Sequence, residues 1–79
     1  MARDEKLIAK MKQSPRNIRF SEVDRLLKRR GFDARQRGSS HVIYKRDDGT
    51  RLQVVKPHGG GDDKVDPAAV AKILDVLEL

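Results

Sequence analysis

The stretch "RQRGSSHVIYKRDDGT", residues 35–50, sets one histidine, His41, between a small Gly-Ser-Ser segment and an apolar run. An imidazole is the side chain best suited to moving a proton near neutral pH. Gly38, Ser39 and Ser40 leave room for a substrate backbone to come close, and serine hydroxyls with neighbouring amides can hold a phosphate. Arg37, Lys45 and Lys56 are candidate phosphate contacts, with Arg35 near the same place. Cations beside an imidazole disfavour its protonated form and leave the neutral base. Together these groups suit RNA cleavage by internal transfer. A base removes the ribose 2′-OH proton, the oxygen attacks the adjacent phosphorus, and cations stabilise the crowded anion. That chemistry needs no metal. Alone, a histidine at a strand start is more often structural or merely exposed, so the context has to carry the assignment.

Other chemistry-bearing residues are weaker. His58, in "KPHGGG", could supply a second proton-transfer group, but a solvated loop histidine explains it better. Two histidines with the loop carboxylates Asp62 and Asp63 do not make a metal site. Tyr44 could stack on a base, but with three aromatics in the chain core packing is the stronger expectation. The triple glycine is not followed by the Gly-Lys-Ser/Thr of a phosphate loop.

The charge is unevenly placed. Residues 1–56 carry 16 Lys/Arg against 7 Asp/Glu, and residues 57–79 carry 2 against 5. A basic body with an acidic end points first to nucleic acid as partner. The absence of cysteine excludes a disulfide scaffold or a thiolate zinc site and suits a reducing cytoplasm. No apolar run reaches the roughly 20 residues of a membrane span. The start "MARDEKLIAKMK" mixes acids with bases, unlike a signal peptide.

The elements that must position His41 follow from local pattern. Residues 4–12 read as a helix with Leu7, Ile8 and Met11 on one side, broken at "QSPRN". A second helix starts at Ser21, capped by its hydroxyl with Asp24 completing a weak capping box. Gly31 closes that helix in the left-handed conformation. "DARQR" is a short edge strand, "HVIYKR" a β-rich strand, "DDGT" a hairpin turn and "RLQVVK" the return strand. Asp66 caps a last helix with Pro67 at its first position. Val70, Ile73, Leu74 and Leu77 form its stripe. The expected fold is α+β: a three-stranded antiparallel sheet with helices on one face, in the order α-α-β-β-β-α.

Taking Asp48 and Gly49 as the two central turn residues pairs Ile43 with Val54, Lys45 with Leu52 and His41 with Lys56. Both faces are then mixed, so periodicity does not say which one meets the helices. A one-residue slip reverses every assignment.

The order helix, "RRGF", basic stretch, "GSSHVIY", "DDGT", strand, "KPH" and a helix ending "AVAKILDVLEL" resembles the HicA toxin family, the mRNA interferases of HicAB toxin–antitoxin systems. Gly38-Ser39-Ser40-His41 is the most specific part of the likeness. The resemblance implies a fold similar to double-stranded-RNA-binding domains, with His41 as the catalytic residue of a metal-independent endoribonuclease. It implies mRNA as substrate, a HicB antitoxin as the neutralising partner, and a cytoplasmic setting without cofactor. Residues 1–79 are expected to form one HicA-like domain, with 20–79 as its core and 1–19 an added helix and linker. Ser40-His41 stands where many members carry His-His, and Pro57 and His58 are adjacent where many have a residue between. The rival reading is a noncatalytic basic RNA-binding module.

Overall fold

The computed structural model describes residues 2–38, 40–57 and 63–79. Helix α1 spans Ala2–Gln13, and a short 3₁₀ turn at Pro15–Asn17 leads to α2, Phe20–Arg29. Strands β1 (Asp33–Arg37), β2 (His41–Lys45) and β3 (Arg51–Val55) precede α3, Pro67–Val76. The sheet is antiparallel with spatial order β1-β2-β3. The fold is therefore α+β with three helices on a three-stranded sheet, in the expected chain order. No helix among the described residues is long and apolar enough to cross a membrane.

Each helix end has a local cause. Helix α2 begins one residue earlier than Ser21, and its capping carboxylate is Glu22 rather than Asp24. The Arg19 backbone N–H donates to Glu22 Oε1 at 3.0 Å, and the Glu22 N–H donates to the Arg19 carbonyl at 3.1 Å. Arginine has no side-chain acceptor, so only the glutamate half of a capping box is available. At the other end Gly31 adopts φ +90°. The Phe32 N–H then donates to the Leu27 carbonyl and the Gly31 N–H to that of Lys28, the paired bonds of a Schellman ending. Phe32 and Leu27 are both buried, which supplies the accompanying apolar contact. Helix α3 starts as expected, with Asp66 Oδ1 accepting from the Ala68 N–H at 2.9 Å and Pro67 next to it.

The hairpin differs from the expected register. The Gly49 N–H donates to the Arg46 carbonyl and the Arg46 N–H to that of Thr50, both at 2.9 Å. The loop therefore holds Asp47, Asp48 and Gly49, with Gly49 at φ +92°. This is a type I turn followed by a left-handed residue, whose twist suits the flanking strands. Asp48 locks it: Oδ2 lies 3.1 Å from Arg46 Nε, and Oδ1 accepts from the Thr50 N–H at 2.9 Å. Arg46 and then Thr50 hold the Asp48 carboxyl well below the usual carboxylate range. Its contribution to the turn is thus present above about pH 4 and lost as acid protonates it. The pairs are His41 with Val55, Val42 with Val54, Ile43 with Gln53, Tyr44 with Leu52 and Lys45 with Arg51.

That slip segregates the faces. Val42, Tyr44, Leu52 and Val54 are buried against Val23, Leu26, Leu27, Val70 and Ile73 of the helices. Met11, Ile18, Phe20 and Val65 complete the core. The chain before α3 is tied to the start of α2, where the Phe20 N–H donates to the Asp63 carbonyl and the Val65 N–H to that of Ile18. Tyr44 has no exposed surface, and its hydroxyl donates to Asp24 Oδ1 at 2.8 Å. Burial first, then the hydrogen bond and charge of Asp24, push its phenol well above the usual tyrosine range.

Two stability predictions follow from this packing. Met11→Ala lowers unfolding stability by about 2–5 kcal/mol, measured by urea titration, because it empties a fully enclosed site. Tyr44→Phe costs about 1–2 kcal/mol at pH 7. The raised phenol value means that this advantage is complete below about pH 10. It shrinks above that, as the unfolded chain ionises first. Paired wild-type and Tyr44→Phe melts at pH 7 and at alkaline pH check both statements.

Candidate nucleic-acid interface

The segregation leaves the other face of the sheet uncovered by the described helices. Its positions are Asp33, Arg35 and Arg37 on β1, His41, Ile43 and Lys45 on β2, and Arg51, Gln53 and Val55 on β3. The rows run Arg37–His41–Val55, Arg35–Ile43–Gln53 and Asp33–Lys45–Arg51. Four of these nine positions are cationic and one is acidic. Arg35, Lys45 and Arg51 are exposed and form no ion pair with a described residue. The salt bridges among described residues lie elsewhere: Lys10–Glu22, Lys28–Asp24, Arg29 and Arg30 with Asp4, and Arg46–Asp48. Acids thus offset cations along the helices and turn, while the open face keeps its positive charge.

His41 opens β2 at an exposed position in the row between Arg37 and Val55. Its Nδ1 lies 3.2 Å from Nε2 of Gln53. Before it, Gly38 turns the chain at φ +64°, where an added Cβ would meet nothing within 4 Å. Conformation rather than space therefore favours glycine there. The Ser40 carbonyl accepts from the Lys56 N–H at 2.6 Å, extending the β2–β3 pairing past its last strand residue. Val55, beside His41, is 54% exposed and is the one large apolar side chain so exposed among the described residues. It joins Gln53, Pro57, Ala68 and Ala69 in a shallow groove of about 370 Å³.

The expected site residues separate into two groups. Arg37 and Lys45 hold open-face positions with His41, and Gly38 and Ser40 lie on the turn leading to it. Lys56 does not face His41. The actual register puts Val55 opposite the histidine, and alternation carries Lys56 toward the helices. There its ammonium sits 5.8 Å from the Phe20 ring centre, beside a hollow lined by Asp24, Lys28 and Gln36. Ser39 and His58 lie outside the described residues. Tyr44 is buried and cannot stack on a base from the open face.

Gln53 was not expected beside His41, nor Arg51 on the same face at the far row with Lys45. A usable signal was present in the sequence, because only the slipped register makes one face of both strands wholly apolar.

The result is a small α+β domain that covers one sheet face with helices and leaves the other basic, with a histidine at its rim. A family model described as the HicA toxin of bacterial toxin–antitoxin systems matches residues 20–79, and the chain belongs to that family. No curated protein and no solved structure matches it.

The geometry makes a direct prediction for Gly38. Gly38→Ala imposes a side chain on a left-handed residue and costs about 1–2 kcal/mol, read by denaturant titration. Gly38→Asn costs less, because asparagine tolerates that conformation.

Proposed function

We propose that this protein is a metal-independent endoribonuclease, an mRNA interferase toxin, in which His41 moves the proton and the open sheet face holds the RNA. The observation that carries the reading is the exposed imidazole on a sheet face that no described helix covers, where Arg35, Lys45 and Arg51 form no ion pair with a described residue. Family membership supplies the toxin context.

In the proposed step, neutral His41 accepts the proton of a ribose 2′-OH. The 2′-oxygen forms a bond to the adjacent phosphorus, and the bond to the 5′-oxygen breaks. The products are a 2′,3′-cyclic phosphate and a 5′-hydroxyl end, the latter protonated by imidazolium or water. Arg37 and Arg35 hold the positions nearest His41 to stabilise the extra negative charge, and Lys45 and Arg51 in the far row hold flanking phosphates. Gly38, Ser39 and Ser40 shape the approach to His41. Lys56, on the helical side, contributes less to this contact than the open-face cations.

A HicB antitoxin is the proposed neutralising partner, and it would be acidic where it meets the open face. The proposed setting is the cytoplasm. The second reading, a noncatalytic RNA-binding module, is favoured by the same exposed cations, Arg35, Lys45 and Arg51, which can hold phosphate without any proton transfer.

Purified wild-type protein should cleave RNA equally with and without EDTA. His41→Ala should be slower by a factor of about 10²–10⁴ while retaining RNA on a filter. Cleavage by both proteins at one rate, or by neither at high concentration, removes the nuclease reading. Cleavage should fall on acidification, because a protonated imidazole cannot serve as base. Arg51→Ala or Lys45→Ala should each reduce the slope of log binding against log salt by about 1, with a smaller change for Lys56→Ala.

A further inference from the structure

We infer that Gln53 is a positioning residue for His41, holding the imidazole through Nδ1 so that Nε2 is the nitrogen offered to RNA. The inference rests on the reading of His41 as the proton-transfer group. In the β2–β3 register Gln53 pairs with Ile43, which makes it the diagonal neighbour of His41 on the same face. A diagonal neighbour lies within reach of a long side chain. The Gln53 carboxamide nitrogen lies 3.2 Å from Nδ1, and a half-turn of the amide puts Oε1 in its place.

A carboxamide is suited to this place because it carries both a donor and an acceptor. Its NH₂ donates to a bare Nδ1. After a half-turn, its Oε1 accepts from Nδ1–H. For His41 to act as base, Nε2 must be bare and Nδ1 must carry the hydrogen, with Oε1 of Gln53 accepting it. When Nε2 takes the 2′-OH proton, Nδ1–H remains and the same bond strengthens. When Nε2 gives its proton away, the starting state returns. Gln53 thus serves each state without leaving the ring.

A carboxylate would serve the cycle differently. The charged positions nearest His41 on the open face are cationic: Arg37 holds the paired position on β1 and Arg35 the next row, with Lys45 of β2 and Arg51 of β3 in the far row. The one acid of the face, Asp33, stands at the far end opposite Lys45. A glutamate at 53 would favour imidazolium over the neutral base.

The test uses the full chain and a long in vitro transcribed mRNA. Gln53→Leu should slow cleavage by a factor on the order of 10–100 through loss of ring orientation. RNA retention should stay within about twofold, since phosphate contacts supply the affinity. The ¹⁵N signals of the His41 ring should show a changed ratio of its two neutral tautomers. Gln53→Glu should recover part of the rate at high pH and move the acid limb of the pH–rate profile upward. A Gln53→Leu variant with wild-type cleavage and unchanged His41 tautomers overturns the inference. The ring signals report the His41–Gln53 contact without reference to activity. A His41→Ala protein that cleaves at the wild-type rate would therefore sink the reading of His41 as the proton-transfer group, and Gln53's catalytic purpose with it, while an unchanged tautomer ratio sinks the positioning claim alone.

Discussion

A three-residue loop closed by a left-handed glycine decides on which side of the sheet every residue of β2 and β3 lies. With Asp47, Asp48 and Gly49 in the loop, Val42 and Tyr44 meet Val54 and Leu52 under the helices. His41, Ile43 and Lys45 then stand on the other side with Val55, Gln53 and Arg51. A two-residue loop would shift the pairing by one and put Gln53 in the same row as Tyr44. Burial of a continuous apolar face favours the first arrangement, since a mispaired register would leave a polar group against the core. The Asp48 bridge between Arg46 and Thr50 and the positive φ of Gly49 stabilise that choice locally.

Most of the fold was legible in the sequence because its signals are local. Asp66-Pro67 marks a helix start through one side-chain oxygen and one missing N–H. Gly31 marks a helix end through the only residue type that accepts its φ cheaply. The strand order followed from β-branched runs separated by a turn. The start of α2 was less legible, because its cap is a backbone N–H bound by a downstream glutamate. Ser21 and Asp24 offered a more familiar pattern, but Asp24 instead receives the Tyr44 hydroxyl and the Lys28 ammonium. That exchange depends on tertiary packing, which local pattern does not contain.

The site was partly legible for the same reason. His41 stood out by residue type, and the Gly38 turn by its flexibility. Its neighbours required the register, and the Asp-Gly pair suggested the shorter loop. Lys56 was therefore placed beside the imidazole, whereas it packs near Phe20, and Arg51 and Gln53 went unnoticed. Met11 and Ile18, both outside the matched family region, are among the most deeply buried side chains.

The open face joins the fold to the proposed activity, since the same alternation that fills the core leaves cations and one imidazole uncovered. Titrating a 2′-O-methyl oligonucleotide, which binds but cannot be cleaved, into ¹⁵N-labelled protein tests this link most directly. The account predicts that amide shifts concentrate at residues 35–45 and 51–55 on the open-face positions and weaken with added salt. Shifts centred on α1 or α3, with His41 and its strand neighbours unmoved, would contradict it.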